Sequence, residues 1–149
     1  MAIVRSAGTE IIRTVHLEAV NSTGRKLIQG VQHHIYTVLS ISIYVDAINA
    51  AGDFVACTVV GYDSLGGTTA QYNRIFQQEL QLNQTFVWND KFSFNGYEPV
   101  DFVGPMDDAT KQDAIADQGS SVAQYLNINA EHASDGFDVT CTYIDQNNA

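Results

Sequence analysis

Charge is scarce in this sequence. Asp, Glu, Lys and Arg make up only 16% of its 149 residues. Basic residues are the scarcest, 7 against 17 acidic ones, which leaves a net charge of −10. Binding a phosphate backbone needs a basic patch that displaces counterions. No such run exists, which argues against direct nucleic-acid binding. Cysteine is nearly absent, with Cys57 and Cys141 alone. Both sit in apolar, alternating stretches and read as small core residues, where burial raises a thiol's pKa and lowers its reactivity. They can pair only if their strands are neighbours. The opening MAIVRSAGTE lacks the apolar centre of a secretory signal, so an oxidising compartment is not indicated. No apolar run approaches membrane-spanning length. The expectation is a soluble protein made in a cytoplasm.

Motifs that carry chemistry are missing too. There is no G-x-S-x-G elbow and no recognisable Ser/His/Asp grouping. Gly66-Gly67 opens no helix and makes no phosphate cradle. Of the four histidines (His16, His33, His34 and His132), the adjacent pair His33-His34 points to opposite faces of a strand. That is poor geometry for one metal. Asp107, Asp108, Asp113 and Asp117 lack the spacing and the glycine of a calcium loop. No enzyme activity, metal or cofactor is expected.

What is present is alternation. His34 to Asp46 (HIYTVLSISIYVD) places Ile35, Thr37, Leu39, Ile41, Ile43 and Val45 on one side. Tyr36, Val38, Ser40, Ser42, Tyr44 and Asp46 fall on the other. A period of two in β-branched and aromatic residues predicts a strand. Its aliphatic face needs a covering layer, and its Tyr/Ser face suits a partner surface. Further strands are predicted at 10–20, 26–31, 54–62, 71–82, 85–94, 121–129 and 137–144. Residues 71–82 also admit a helix, but their β surroundings favour a strand. In 85–94, Asp90 interrupts an aromatic face, so a bulge or strand end is expected there. Gly30 marks a bulge or bend, and the two prolines, Pro99 and Pro105, bracket an irregular crossing. One short helix is predicted at 107–118, capped by Asp107 or Asp108 and stopped by Gly119.

The expected fold is therefore all-β, a single β-sandwich of jelly-roll type with about eight antiparallel strands. Residues 1–9 form an N-terminal arm, and 10–149 form the domain. Tyr62, Tyr72, Trp88 and Tyr97 lie in or beside loops and strand ends, where exposed rings stack on sugars or anchor protein contacts. Closing the ends of the core is the plainer role for each.

Four segments carry a resemblance: GTEIIR, the YTVLS strand, TFVWNDKFSFNG, and the closing DVTCTYIDQ. Together they resemble the small all-β proteins of tailed-bacteriophage structural gene blocks, among them head decoration, or cement, proteins. In these a T-F-x-x-x-D-K strand follows a long hydrophobic one. The resemblance implies a virion protein on the outer capsid surface, made in the host cytoplasm. It implies a homodimer or homotrimer that bridges major capsid protein subunits, with no nucleic-acid or membrane partner. The expected interface residues are Arg5, Arg13, Arg25, Lys26, Tyr36 and Tyr44, with the basic ones facing an acidic shell. An alternative is a carbohydrate- or receptor-binding module of a phage tail or fibre, stacking ligand on Tyr62, Trp88 and Tyr97.

Overall fold

Nine strands order the chain: β1 (Thr9–Val20), β2 (Arg25–Gln29), β3 (His34–Ala47), β4 (Phe54–Tyr62), β5 (Ala70–Glu79), β6 (Thr85–Trp88), β7 (Phe92–Asn95), β8 (Tyr125–Ala130) and β9 (Gly136–Asn147). A computed structural model describes them, covering residues 9–62, 70–97 and 122–147. The helix expected at 107–118 and most of the N-terminal arm lie outside the described residues. The segment 71–82 is a strand over most of its length, as its β neighbours require.

The strands form two antiparallel sheets. One runs β1-β9-β3-β6, with β7 also paired to β3, and the other runs β2-β8-β4-β5. β6 and β7 both lie along β3 and act as one interrupted strand. Pairing then proceeds inward from the chain ends: β1 with β9, β2 with β8, β3 with β6 and β7, and β4 with β5. The β3–β9 and β4–β8 ladders roll this long double ribbon into a sandwich. That is jelly-roll topology.

Between the sheets lies a continuous apolar core that includes Val38, Ile41, Ile43, Val55, Cys57, Leu126, Ile128, Phe137, Val139 and Cys141. Phe76 of β5 stacks on Trp88 of β6 at 5.2 Å and joins the two sheets. Both cysteines are free and buried. They belong to opposite sheets and face one interior, rather than lying on neighbouring strands. Burial pushes the Cys141 thiol up to about 12 and that of Cys57 higher still.

The strict alternation expected of β3 does not hold. Tyr36 and Val38 are buried, and so are Ile41, Ile43 and Val45, residues of the opposite parity. The cause is a bulge. Val38 pairs with Tyr143 and Ser40 with Thr142, which leaves Leu39 as an extra residue on β3. An extra residue reverses the faces beyond it. On the other flank Val38 pairs with Phe92 and Ile41 with Trp88. Asn89, Asp90 and Lys91 span that interval and separate β6 from β7, so the break expected at Asp90 sits beside the bulge.

Gly30 closes β2 where backbones nearly touch. A Cβ there would lie 2.0 Å from the Gly96 carbonyl oxygen. His33 is not in a strand. It turns into β3 with φ of 69°, so the two adjacent histidines are not a strand pair. At the opposite end, Asp135 accepts hydrogen bonds from the Asn49 and His132 amides, 2.8 and 2.9 Å. These bonds tie the β3–β4 and β8–β9 connections together.

Candidate functional site

The outer face of the β1-β9-β3-β6 sheet is built by register. One row across it is Ile12, Ile144, Thr37 and Ser93, and the next is Thr14, Thr142 and Ser40. A third is His16, Thr140, Ser42 and Val87. Hydroxyls link some strands: Thr37 Oγ1 lies 2.9 Å from Ser93 Oγ, and His16 Nδ1 lies 2.8 Å from Thr140 Oγ1. None of these rows contains a carboxylate. Acidic residues flank them instead, Glu10 at one end and Glu18 and Asp138 at the other. Alternating sheets put their charged residues on the solvent side by default, so a wide neutral face of Thr, Ser and Ile is a departure.

β1 is the edge of this sheet, and its first half is exposed. Ile11 is 45% exposed and Ile12 69%. An edge strand presents unpaired backbone groups to any incoming strand. Beside it, the Asp145 carboxylate is almost fully buried and doubly bound. Arg13 Nε donates to Oδ2 at 2.8 Å, and His34 Nδ1 lies 2.5 Å from Oδ1. With Thr9, Ile11 and Asn147 these three residues line a small pocket at the sheet edge. The cluster fastens the overhanging strand to β9 and β3. Among the described residues, no three His, Cys, Asp or Glu side chains group so as to hold a metal ion.

The residues expected at an interface do not converge. Arg5 lies outside the described residues. Arg13 is engaged with Asp145, and Arg25 donates to the Glu18 carbonyl at 3.1 Å. Lys26 belongs to the other sheet, with its Nζ 4.4 Å from the centre of the Tyr125 ring. Arg13, Arg25 and Lys26 therefore form no common face. Tyr36 is a correction. The bulge at Leu39 turns it inward, 3% exposed, against His34, Phe94 and Tyr143. Its hydroxyl accepts from the Val31 amide at 3.1 Å. Tyr44 does stay exposed, and its hydroxyl donates to Asn83 Oδ1 at 2.9 Å.

Of the three expected stacking residues, the two whose side chains are described are both half-buried. Trp88 is half-buried, packed on the core, and its indole N–H has no partner among the described residues. Tyr97 is half-buried in a bridge to Ala123. The Tyr62 side chain lies outside what the structure describes. Sequence periodicity missed the neutral face because its rows join residues from five strands, and the bulge shifts which β3 residues belong to it.

No family model matches this chain, and no curated protein matches it. Solved structures with a similar outline include a chain of the Bacillus endospore appendages, described as a family of disulfide-linked pili. It is 12% identical, with a TM-score of 0.46, over 100% of this chain and 97% of that one. A chain of infectious bursal disease virus, Gx strain, is 7% identical with a TM-score of 0.47, over 97% of this chain and 34% of that one. A chain of the T13 particle of the same virus is 8% identical with a TM-score of 0.43, over 97% and 36%. This chain spans about a third of those viral chains. Likeness this distant carries no functional argument.

Proposed function

We propose that this protein is a structural component of a virus particle, a head decoration protein that docks on the capsid and bridges neighbouring capsid subunits. The observation that carries this reading is the neutral face of the β1-β9-β3-β6 sheet, with exposed Ile12 on its edge strand. Interface centres are depleted of charge, and a protein neighbour satisfies both hydroxyls and methyls on such a surface. The open β1 edge adds backbone hydrogen bonds to an incoming strand. The low charge content and the sequence resemblance to phage decoration proteins point the same way. In this role the partners are the major capsid protein and further copies of this chain, and the location is the outer surface of the virion.

Co-sedimentation with phage heads stripped of their minor proteins tests the proposal. The wild-type protein is expected to pellet with the heads. Ile12→Asp, an exposed substitution that places a charge in the neutral face, is expected to weaken binding about tenfold or more. Wild-type protein that stays in the supernatant, or an Ile12→Asp variant that binds equally well, overturns the proposal.

A further inference from the structure

The opposite outer face, on the β2-β8-β4-β5 sheet, has a different chemistry. Its register places Tyr72, Val60, Tyr125 and Gln29 in one row. The next row is Arg74, Thr58, Asn127 and Lys26, and a third is Gln77, Ala56 and Asn129. The central residues of these rows, Val60, Thr58 and Ala56, are small and buried. The long side chains on either side remain accessible among the described residues.

Three features of this face point to a ligand. Tyr72 is 71% exposed, and it lies two strands from Tyr125, about 10 Å at ordinary strand spacing. The Tyr72 ring offers an apolar platform with a polar rim, and the Tyr125 ring carries Lys26 over its face. Amides lie beside and between them, supplying donors and acceptors together. Finally, Lys26 and Arg74 stand three strands apart, about 14 Å, and no carboxylate occurs in these rows. Glu79 and Glu131 lie beyond them, both beside Phe54. On a molecule of net charge −10 this is a local reversal of sign. The side chains are also held in place. Lys26 Nζ donates to Gln29 Oε1 at 2.9 Å while lying over the Tyr125 ring, and Arg74 donates to Gln77 Oε1. Ordering before binding lowers the entropic cost of capture.

We propose that this face binds a linear oligosaccharide in which carboxylated sugars alternate with neutral ones. A sugar ring presents its apolar face to Tyr72, and the hydroxyl and acetamide groups of the chain meet Gln29, Gln77, Asn127 and Asn129. Two cations set far apart match carboxylates spaced along a chain. They do not match the unbroken phosphate row of a nucleic acid, which calls for contiguous cations. The face lies opposite the proposed capsid-docking surface, so the free protein is competent to bind and the two proposals stand or fall separately.

The test is titration of isotope-labelled full-length protein with a hyaluronan hexasaccharide, read by amide shifts. Chitohexaose serves as the neutral counterpart, and a thymidine dodecamer as the nucleic acid. Binding is expected to shift the amides of β5, β8 and β2. The affinity is expected to exceed that for chitohexaose and to fall about tenfold in both Tyr72→Ala and Arg74→Gln. These residues are exposed, and each variant's own amide spectrum shows whether it remains folded. A folded Lys26→Gln variant serves in place of either if it does not. The proposal is overturned by no shifts at millimolar hexasaccharide, by shifts confined to the other sheet, by an affinity no higher than that for chitohexaose, or by variants that bind as well as wild type. Tighter binding of the dodecamer overturns it in favour of single-stranded nucleic acid.

Discussion

Tyr36 shows how a single side chain is committed by its surroundings. Burial, reinforced by the nearby Asp145 carboxylate, pushes its phenol from 10.0 up to about 12. The folded state holds this proton more tightly than the unfolded chain does. Its stabilisation is therefore complete below pH 10 and is lost as pH climbs toward 12. The buried thiols behave alike from about pH 9 upward, since burial raises Cys141 from 9.0 to about 12 and Cys57 further. Urea unfolding midpoints are expected to be flat through neutrality and to fall steeply above pH 9. Tyr36→Phe is expected to cost about 1 kcal/mol at pH 7, from the lost contact with the Val31 amide. The same variant should decline less steeply than wild type between pH 10 and 12. Parallel curves for the two proteins would refute the assignment.

At the scale of elements, the long strand β3 takes its phase from its extra residue. Before Leu39 it buries even-numbered side chains, and after it odd-numbered ones. Without the bulge, strict alternation would turn either Tyr36 and Val38 or Ile41, Ile43 and Val45 to solvent, at about 1.5–3 kcal/mol for each aliphatic side chain, a large share of a domain's total stability. Deleting Leu39 removes the extra residue and brings Tyr36, Val38, Ile41, Ile43 and Val45 into one alternating series that faces the core opposite an unbroken β9. The deletion variant is therefore expected to retain the cooperative urea transition and the near-ultraviolet circular dichroism, and so is Leu39→Ala, which keeps the bulge. A deletion variant that loses both would show that Leu39 does more than correct the phase of the strand. The break between β6 and β7 was legible in the sequence because a lone Asp90 interrupts an aromatic face. The bulge was not. Leu39 and Ser40 fit an unbroken alternation equally well, and only pairing with β9 exposes the extra residue.

At the scale of the whole molecule, the fold is closed by contacts between distant parts of the chain. Arg13 meets Asp145 across a separation of 132 residues, and every β1–β9 pair is similarly remote. Chains that must find such partners before gaining local reward fold slowly. Refolding is expected on a millisecond-to-second scale, followed by the fluorescence of the single tryptophan. Trp88 is a suitable reporter because its stacking on Phe76 forms only when the two sheets meet. A dominant microsecond phase would contradict this order of events.

The sequence by itself determined the β class, most strand positions, the turns between them and the burial of both cysteines. Those follow from local periodicity and from side chains whose preference for water or core is their own property. It also carried the scarcity of charge that makes a neutral face possible. Only the tertiary structure decided which strands are neighbours, and hence that five of them assemble one neutral face while Tyr72 and Tyr125 share the other. It also turned Tyr36 inward and separated Arg13, Arg25 and Lys26 from any common surface. Such outcomes depend on register, and register is a relation between distant segments that no local pattern contains.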